Sequence, residues 1–407
     1  MGKAVALVYP THGHITPSLA VVHELVRRGE EVVFYATPRA RAQVEQTGAR
    51  FRAYEASDTD FNPDPPTDGL LADMARLLAL TEQTLPRLLD EIRSEAPDYI
   101  LIDTKSVWGR LAAEALGLPA ITMSVVFALT RDHIAVPDLV RMLYGGASRE
   151  TLLDGLQDFE RYAATARRLA ARHGVTAPDL IDFLSNPQPL TIVFTSREFQ
   201  INGDTFGEAH RFIGASLSNG SNSEDTSARP ESGEPLVYVS LGTTFNDAPT
   251  FYQACFEAFA DQPYQVLLST GGRTMALSEP PANVRVMPFV PQMEVLMRAS
   301  VFVTHGGMNS ANEGLWRGVP MVVVPQRGDQ FLVARRMAEL GAGIAVMPNE
   351  ATPARLREAV GRLMAESSFR ERARALGASL VAAGGPARAA EAVLEAVSRR
   401  DRLAGCV

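Results

Sequence analysis

Apolar and polar positions alternate along this chain in short runs with a regular rhythm. Ala4–Tyr9, Glu31–Ala36 and Phe51–Tyr54 are brief β-rich runs, and the segments between them repeat apolar residues at helical spacing. In the first of these helices Leu19, Val22, Leu25 and Val26 form the apolar stripe. Pro17 behind a capping Thr16 marks its start, after a turn over Pro10–His14, and Gly29 marks its end. A helix is predicted over Pro38–Gln46 and another over Leu70–Ser94, in spite of Pro86. Tyr99–Ile102 reads as a strand ending in Asp103, Val107–Leu116 as a helix and Ala120–Ser124 as a strand. This β-α-β-α alternation predicts an α/β, doubly wound parallel sheet. Asp58–Gly69, rich in Pro, Asp and Thr, reads as a mobile loop. From Phe127 to Leu184 the rhythm gives way to helical segments of the kind that cover or line a pocket, before Leu190–Thr195 returns to strand.

Residues 216–234 carry Ser, Asn, Gly, Asp and Pro with almost nothing apolar, and read as a linker between a domain over 1–215 and a second over 235–386. The second domain repeats the rhythm. Strands are predicted at Val237–Ser240, Val266–Ser269, Val284–Met287, Val301–Thr304 and Pro320–Val324, with a further run at Gly343–Val346. Helices are predicted near Thr250–Ala260, Met293–Arg298 and Met308–Arg317, and from Phe331. The tail, Pro353–Arg400, is Ala/Arg/Glu/Leu-rich helix broken at Gly384-Gly385-Pro386.

A chain of 407 residues can bury two cores of this kind. Hydrophobic residues at 46% and charged ones at 21% fit a globular protein. The formal charge of −8 argues against nucleic acid as a partner. Cys255 and Cys406 suggest neither a disulfide framework nor a metal site. No run approaches the roughly 18 apolar residues that a membrane span needs. Ala4–Tyr9 meets Pro10 too soon for a signal peptide, so a cytoplasmic location is expected and the sequon at Asn219-Gly220-Ser221 is read as chance.

The chemistry-bearing residues collect at strand–helix turns. In Val301–Gln330, His305, Gly307, Asn309, Ser310 and Glu313 surround one such turn, and Asp329 and Gln330 follow the next strand. A helix N-terminus supplies free N–H groups and partial positive charge to an anion; Gly306 and Gly307 admit a diphosphate to the backbone, and Glu313 is suited to a ribose. Thr243, after the strand Val237–Ser240, is a further phosphate candidate. Phe289, between Pro288 and Pro291 and followed by Gln292, is either a flat platform for a base or an anchor for its loop. His14 precedes a helix start, where the dipole favours a neutral ring suited to a general base, with His12 as a competitor. Asp103, at the end of another strand, is positioned to hold the far nitrogen of that ring. Asp58-Thr59-Asp60 has the D-x-D spacing of metal-binding transferases but lies far from these residues. No G-x-G-x-x-G follows the first strand, which argues against a nicotinamide or flavin cofactor.

The run from Phe289-Val-Pro-Gln through THGGMNSANEG and GVPM to Gly328-Asp-Gln resembles the C-terminal signature of family 1 glycosyltransferases. The N-terminal GHITPSL resembles the bacterial, macrolide-type branch. This resemblance implies a GT-B fold, two Rossmann-like domains facing across a cleft, with the last helix, 387–407, returning to the N-terminal domain. It implies that Phe289 stacks on the base where many members carry tryptophan, that Gln292 and Glu313 bind base and ribose, and that His305, Asn309, Ser310 and Thr243 bind the diphosphate. Asp329 and Gln330 would bind the sugar, and His14 would be the catalytic base with Asp103 its partner. The expected reaction is inverting, metal-independent and cofactor-free: transfer of a hexose, glucose foremost, from a UDP-sugar to a hydroxyl of a hydrophobic small-molecule acceptor such as a macrolide or polyphenol. Alternatives on the same fold are a nucleotide-sugar epimerase, a lipid-acceptor transferase and a non-catalytic nucleotide-sugar-binding protein. The choice between UDP and TDP, the oligomeric state (monomer or homodimer) and the role in antibiotic resistance, detoxification or biosynthesis stay open at this level.

Overall fold

The computed structural model describes residues 2–62, 69–133, 149–216, 233–244, 246–273 and 275–404. The chain divides into two compact units, Met1–Ser218 with Ala383–Val407, and Asn219–Ala382. Most of the expected linker, residues 217–232, lies outside the described residues, as do the sequon and Cys406.

In the first unit β1 (Lys3–Leu7), α1 (His12–Arg27), β2 (Glu31–Ala36), α2 (Arg41–Gln46) and β3 (Arg50–Ala53) are followed by a short α3 (Asp58–Phe61). Then come α4 (Leu70–Glu95), β4 (Tyr99–Asp103), α5 (Val107–Leu116), β5 (Ala120–Ser124), α6 (Arg149–His173), α7 (Leu180–Ser185), β6 (Thr191–Val193) and β7 (His210–Phe212). The strands form one parallel sheet ordered β3-β2-β1-β4-β5-β6-β7. Both faces of β1 are buried: Val5 and Leu7 join the core under α4 and α5, while Ala4 and Ala6 join the opposite core with α1. That is why its sequence reads as continuous apolar residues rather than alternation. Each fully buried Val or Leu contributes about 1.5–3 kcal/mol, so these layers fix the strand ends where functional loops begin.

Three features differ from the sequence expectation. α1 begins at His12, with Thr11 at its N-cap, so Pro17 lies inside the helix and His14 in its first turn. The Asp58–Gly69 stretch opens with α3, held by a reciprocal capping box between Ser57 and Asp60; residues 63–68 lie outside the described residues. β7, three half-buried residues at the sheet edge, is too short to carry a periodic signal. In the helical excursion, Tyr162, Ala166, Leu169 and Phe183 pack into the core of the first unit; residues 134–148 lie outside the described residues.

The second unit contains β8 (Leu236–Ser240), α8 (Pro249–Phe259), β9 (Gln265–Ser269), β10 (Val284–Met287), α9 (Gln292–Leu296) and β11 (Ala299–Thr304). It continues through α10 (Met308–Trp316), β12 (Met321–Val323), α11 (Gln330–Glu339) and β13 (Gly343–Ala345), then α12 (Pro353–Ala365) and α13 (Ser367–Ala382). Its parallel sheet is ordered β10-β9-β8-β11-β12-β13. The tail breaks after α12 as well as at Gly384. α14 (Gly385–Ala404) packs in the first unit, where Ala389, Ala390 and Val393 are buried with residues of α1. The small alanine face admits close approach of α1, and the Arg28 guanidinium donates to the Ala387 carbonyl at 3.0 Å.

Candidate active site

Each sheet reverses its strand order at one place, between β1 and β4 in the first unit and between β8 and β11 in the second. The loops leaving the carboxyl ends of such a strand pair diverge to opposite faces and leave a crevice, the usual ligand position in open α/β sheets. Of the residues singled out from sequence, His14 and Asp103 lie at the first reversal and Thr243, His305, Gly307, Asn309, Ser310 and Glu313 beside the second, while Phe289 and Gln292 follow β10 and Asp329 and Gln330 follow β12.

In the first unit Leu7 of β1 pairs with Ile102 of β4, so the start of α1 emerges beside Asp103. His14 Nδ1 lies 2.6 Å from Asp103 Oδ2, across 89 residues of sequence. The Asp103 carboxylate is fully buried, whereas the His14 side chain keeps 17% exposure. Asp103 is fixed from several sides. Its Oδ1 accepts the Lys105 backbone N–H at 2.6 Å, its own N–H donates to Ser106 Oγ at 3.0 Å, and Asn186 Nδ2 donates to its carbonyl at 2.9 Å. Ser106 Oγ in turn donates to the Leu7 carbonyl at 2.7 Å, tying β4 to β1 at the crossing. The Tyr9 ring stands edge-on to His14 with centroids 5.2 Å apart, and its hydroxyl donates to the Phe61 carbonyl at 2.7 Å. An ionised carboxylate only accepts, so the pair sets the proton on Nδ1 and leaves Nε2 as the basic nitrogen. The competing His12 is exposed, and its Nδ1 meets the Thr16 hydroxyl at 3.3 Å.

Lys105, Ser106, Asn186 and Tyr9 were not found by sequence reasoning. Asn186 sits in the left-handed region at φ 41°, a position with no signal in the neighbouring sequence. The D-x-D residues have structural partners: Asp58 accepts the Thr37 hydroxyl at 2.5 Å and Asp60 closes the Ser57 capping box.

In the second unit Thr304 of β11 pairs with Ser240 of β8, bringing His305 beside the Leu241–Thr244 turn. The His305 ring fills the space between two glycines. A Cβ at Gly242 would stand 2.8 Å from its Cε1, and one at Gly307 2.4 Å from its Nε2. Gly242 also has φ +79°, so no other residue serves both conformation and space. Burial drives the imidazole down to about 4, against the opposing effect of a hydrogen bond to the Ser240 carbonyl, so the ring is neutral near pH 7. Asn309 and Ser310 lie half-buried in the first turn of α10, and Thr243 is exposed on the facing turn. Asn246, missed from sequence, is fully buried and donates to the carbonyls of Gly242 and Thr270, both at 2.9 Å, which joins the turns after β8 and β9.

Phe289 is 62% exposed, which decides against a loop-anchoring role. Its ring lies over Gly272, where a Cβ would meet Phe289 Cζ at 2.6 Å. Behind it, Gln292 Nε2 donates to Glu313 Oε2 at 2.6 Å and to Ser310 Oγ at 3.3 Å. Burial pushes the Glu313 carboxyl up, and the Gln292 bond opposes that shift. Asp329 caps α11 and is half-buried. Gln330 is buried, and its Oε1 accepts the backbone N–H groups of Gln326 at 2.8 Å and Arg327 at 3.1 Å. Its amide oxygen is thus committed to the loop that presents Asp329. Among the described residues no group of three or more His, Cys, Asp or Glu is arranged to hold a metal ion. Nor is any helix of these residues long and apolar enough to cross a membrane.

Comparison with known proteins gives the class. Residues 261–396 match the erythromycin biosynthesis protein CIII-like C-terminal domain. The chain is 33% identical over 410 residues to an uncharacterized UDP-glucosyltransferase, YojK, of Bacillus subtilis, covering 99% of this chain and 100% of that one. It is also 33% identical to the demethyllactenocin mycarosyltransferase of Streptomyces fradiae, over 97% of this chain and 86% of the relative. Among solved structures, the glycotransferase of kitacinnamycin aligns with a TM-score of 0.81 at 33% identity, covering 97% of this chain and 98% of that one. The two parallel-sheet units are those of a GT-B glycosyltransferase. The chain belongs to family 1 of the glycosyltransferases, in the macrolide-type branch, and is an enzyme.

Proposed function

We propose that this enzyme transfers a hexose, glucose foremost, from a UDP-sugar to a hydroxyl of a hydrophobic natural product such as a macrolide or polyphenol, with inversion and without a metal. The observation that carries the reading is the buried Asp103 carboxylate on His14 Nδ1, which leaves Nε2 as a base at the strand reversal of the first unit. His14 Nε2 takes the proton of the acceptor hydroxyl as the oxygen forms its bond to the anomeric carbon. The bond from that carbon to the diphosphate oxygen breaks with its electron pair, and the nucleoside diphosphate leaves. Attack opposite the leaving group inverts the anomeric centre.

The second unit carries the donor half. Phe289 stacks on the base, and Gln292 and Glu313 bind base and ribose. The α10 N-terminus, with Asn309, Ser310, His305, Gly307 and Thr243, holds the diphosphate. Preorganised N–H groups aimed at developing negative charge supply the stabilisation that a cation provides elsewhere. The neutral His305 ring, its one N–H held by the Ser240 carbonyl, shapes the turn around the diphosphate rather than serving as a counter-charge. Asp329 and Gln330 hold sugar hydroxyls, Gln330 through its amide NH2, since its oxygen accepts from the loop. Two relatives fit this donor and acceptor: YojK is described as a UDP-glucosyltransferase, and an oleandomycin glycosyltransferase of Streptomyces antibioticus shares 33% identity over 96% of this chain. We place the reaction in the cytoplasm.

The deciding experiment is an acceptor screen by mass spectrometry with UDP-glucose and TDP-glucose side by side. A hexosyl adduct of a macrolide or polyphenol, with the anomeric configuration opposite to the donor's, supports the reading. Donor conversion with no acceptor present would establish an epimerase instead, and nucleotide binding without turnover a sensor.

A further inference from the structure

Tyr238 lies on β8, one layer behind the residues just assigned to the nucleotide, and is 1% exposed. Its ring stacks on Phe302 of β11, with centroids 4.8 Å apart and planes 11° from parallel. The hydroxyl reaches past that stack and donates to Gln292 Oε1 at 3.0 Å. The opposite end of the same amide donates to Glu313 Oε2 and Ser310 Oγ.

A carboxamide is nearly symmetric in shape but not in hydrogen bonding. Turned by 180° about its last torsion, Gln292 would set its carbonyl oxygen against the Glu313 carboxylate, acceptor against acceptor. The hydroxyls of Ser310 and Tyr238 adapt to either orientation because each both donates and accepts, so the Glu313 carboxylate sets the amide sense. Tyr238 fixes where that amide sits, from a ring whose position is set by stacking on Phe302. Burial holds the phenol protonated, raising it to about 12.

We propose that Tyr238 is a positioning residue for the nucleotide sugar: its hydroxyl holds the Gln292 amide in place against Glu313 and, through it, the direction in which Glu313 presents its carboxylate to the ribose. This inference rests on the donor-site reading above. Tyr238 touches no substrate. It acts by preorganising two residues that do, so its loss weakens ground-state and transition-state binding of the donor alike.

The test is UDP binding by calorimetry together with donor kinetics for Tyr238→Phe, Gln292→Ala and the double variant. Tyr238→Phe deletes one oxygen and keeps the stacked ring. UDP affinity is expected to fall about 5–10-fold, the scale of one buried hydrogen bond, with donor KM rising in step and kcat within about twofold of wild type. Because Tyr238 also interacts with the Ser240 and Ser269 hydroxyls, the double variant is expected to lie closer to Gln292→Ala alone than to the product of the two single losses. Equal affinity in Tyr238→Phe and wild type, or single-variant losses that multiply in the double variant, would overturn the inference. Absence of UDP binding in the wild type would instead overturn the donor-site reading beneath it. Should Tyr238→Phe fail to fold, selective 15N-glutamine labelling of the wild type decides the question. Slowly exchanging Gln292 carboxamide protons, assigned by their absence in Gln292→Ala, support the lock, and exchange as fast as in a solvent-exposed glutamine overturns it.

Discussion

The carboxylate of Asp103 and the imidazole of His14 meet at 2.6 Å, with the acid fully buried and the base partly open. A carboxylate in that position both orients the ring and stabilises the imidazolium formed when it takes a proton. Asp103→Asn keeps the shape but offers an amide that can turn its NH2 toward the ring and favour the wrong tautomer. We expect kcat to fall about 10²–10⁴-fold with UDP affinity unchanged. His14→Ala is expected to abolish transfer while calorimetry still shows wild-type UDP binding; full transfer by that variant would sink the base assignment.

Phe289 offers its exposed ring from a loop stiffened by Pro288 and Pro291. Stacking of a base on an aromatic ring is worth about 1–3 kcal/mol. Phe289→Ala is therefore expected to weaken UDP about 5–100-fold, and Phe289→Trp to tighten it modestly through greater contact area. An unchanged dissociation constant in Phe289→Ala would remove the residue from the donor site.

The His305 ring leaves no space for a side chain at residue 307. Gly307→Ala forces the imidazole or the α10 N-terminus to shift, at a cost of about 1–3 kcal/mol typical of overpacking. A lower melting temperature is expected together with a raised donor KM. Gly361, inside α12, has nothing within 4 Å of an added Cβ, so Gly361→Ala is the matched control: it should leave donor KM unchanged and, by the helix preference of alanine over glycine, raise rather than lower the melting temperature.

Glu95 is buried among Arg50, Arg52 and Lys3, with the Arg52 contact at 2.8 Å and the Lys3 contact at 3.1 Å. Hydrogen bonds, first from Arg50 and then from Arg52 and Lys3, hold its carboxyl at about 2, below the usual 4.5. A depressed folded-state value means that the unfolded chain binds the proton first as pH falls. The stabilisation is thus full above about pH 4.5 and lost between 4.5 and about 2. Discounted for the half-exposed arginines, Glu95→Gln is expected to cost about 1–2 kcal/mol at pH 7 by denaturant titration. The difference from wild type should shrink steadily below pH 4.5; a constant difference down to pH 3 would contradict the linkage.

Transfer without a metal predicts full activity in excess EDTA and no stimulation by Mg²⁺ or Mn²⁺. Asp60→Asn is expected to leave turnover unchanged and to lower stability by about 1 kcal/mol, the usual value of a capping interaction. Loss of activity on chelation, restored by a divalent cation, would reverse the assignment of the Asp58-Thr59-Asp60 stretch as structural.

The sequence by itself determined the two α/β series, the turns at which chemistry collects and the class of donor chemistry in Val301–Gln330. These are local properties: strand runs, glycines beside a helix start, and polar residues at fixed spacing. It placed the start of α1 five residues late, because Thr16-Pro17 looks like a helix start while Thr11, the true cap, bears no side-chain capping bond. It left His14 against His12, and Phe289 as platform or anchor, undecided. Tertiary structure decided both. The crossover that sets β1 beside β4 brings Asp103 to His14 and not to His12. The packing of the β9–β10 loops leaves Phe289 open over Gly272. Partners such as Asn186, Asn246 and Tyr238 were invisible beforehand for the same reason: hydrogen bonds across 83, 24 and 54 residues follow from strand order, which no local pattern encodes.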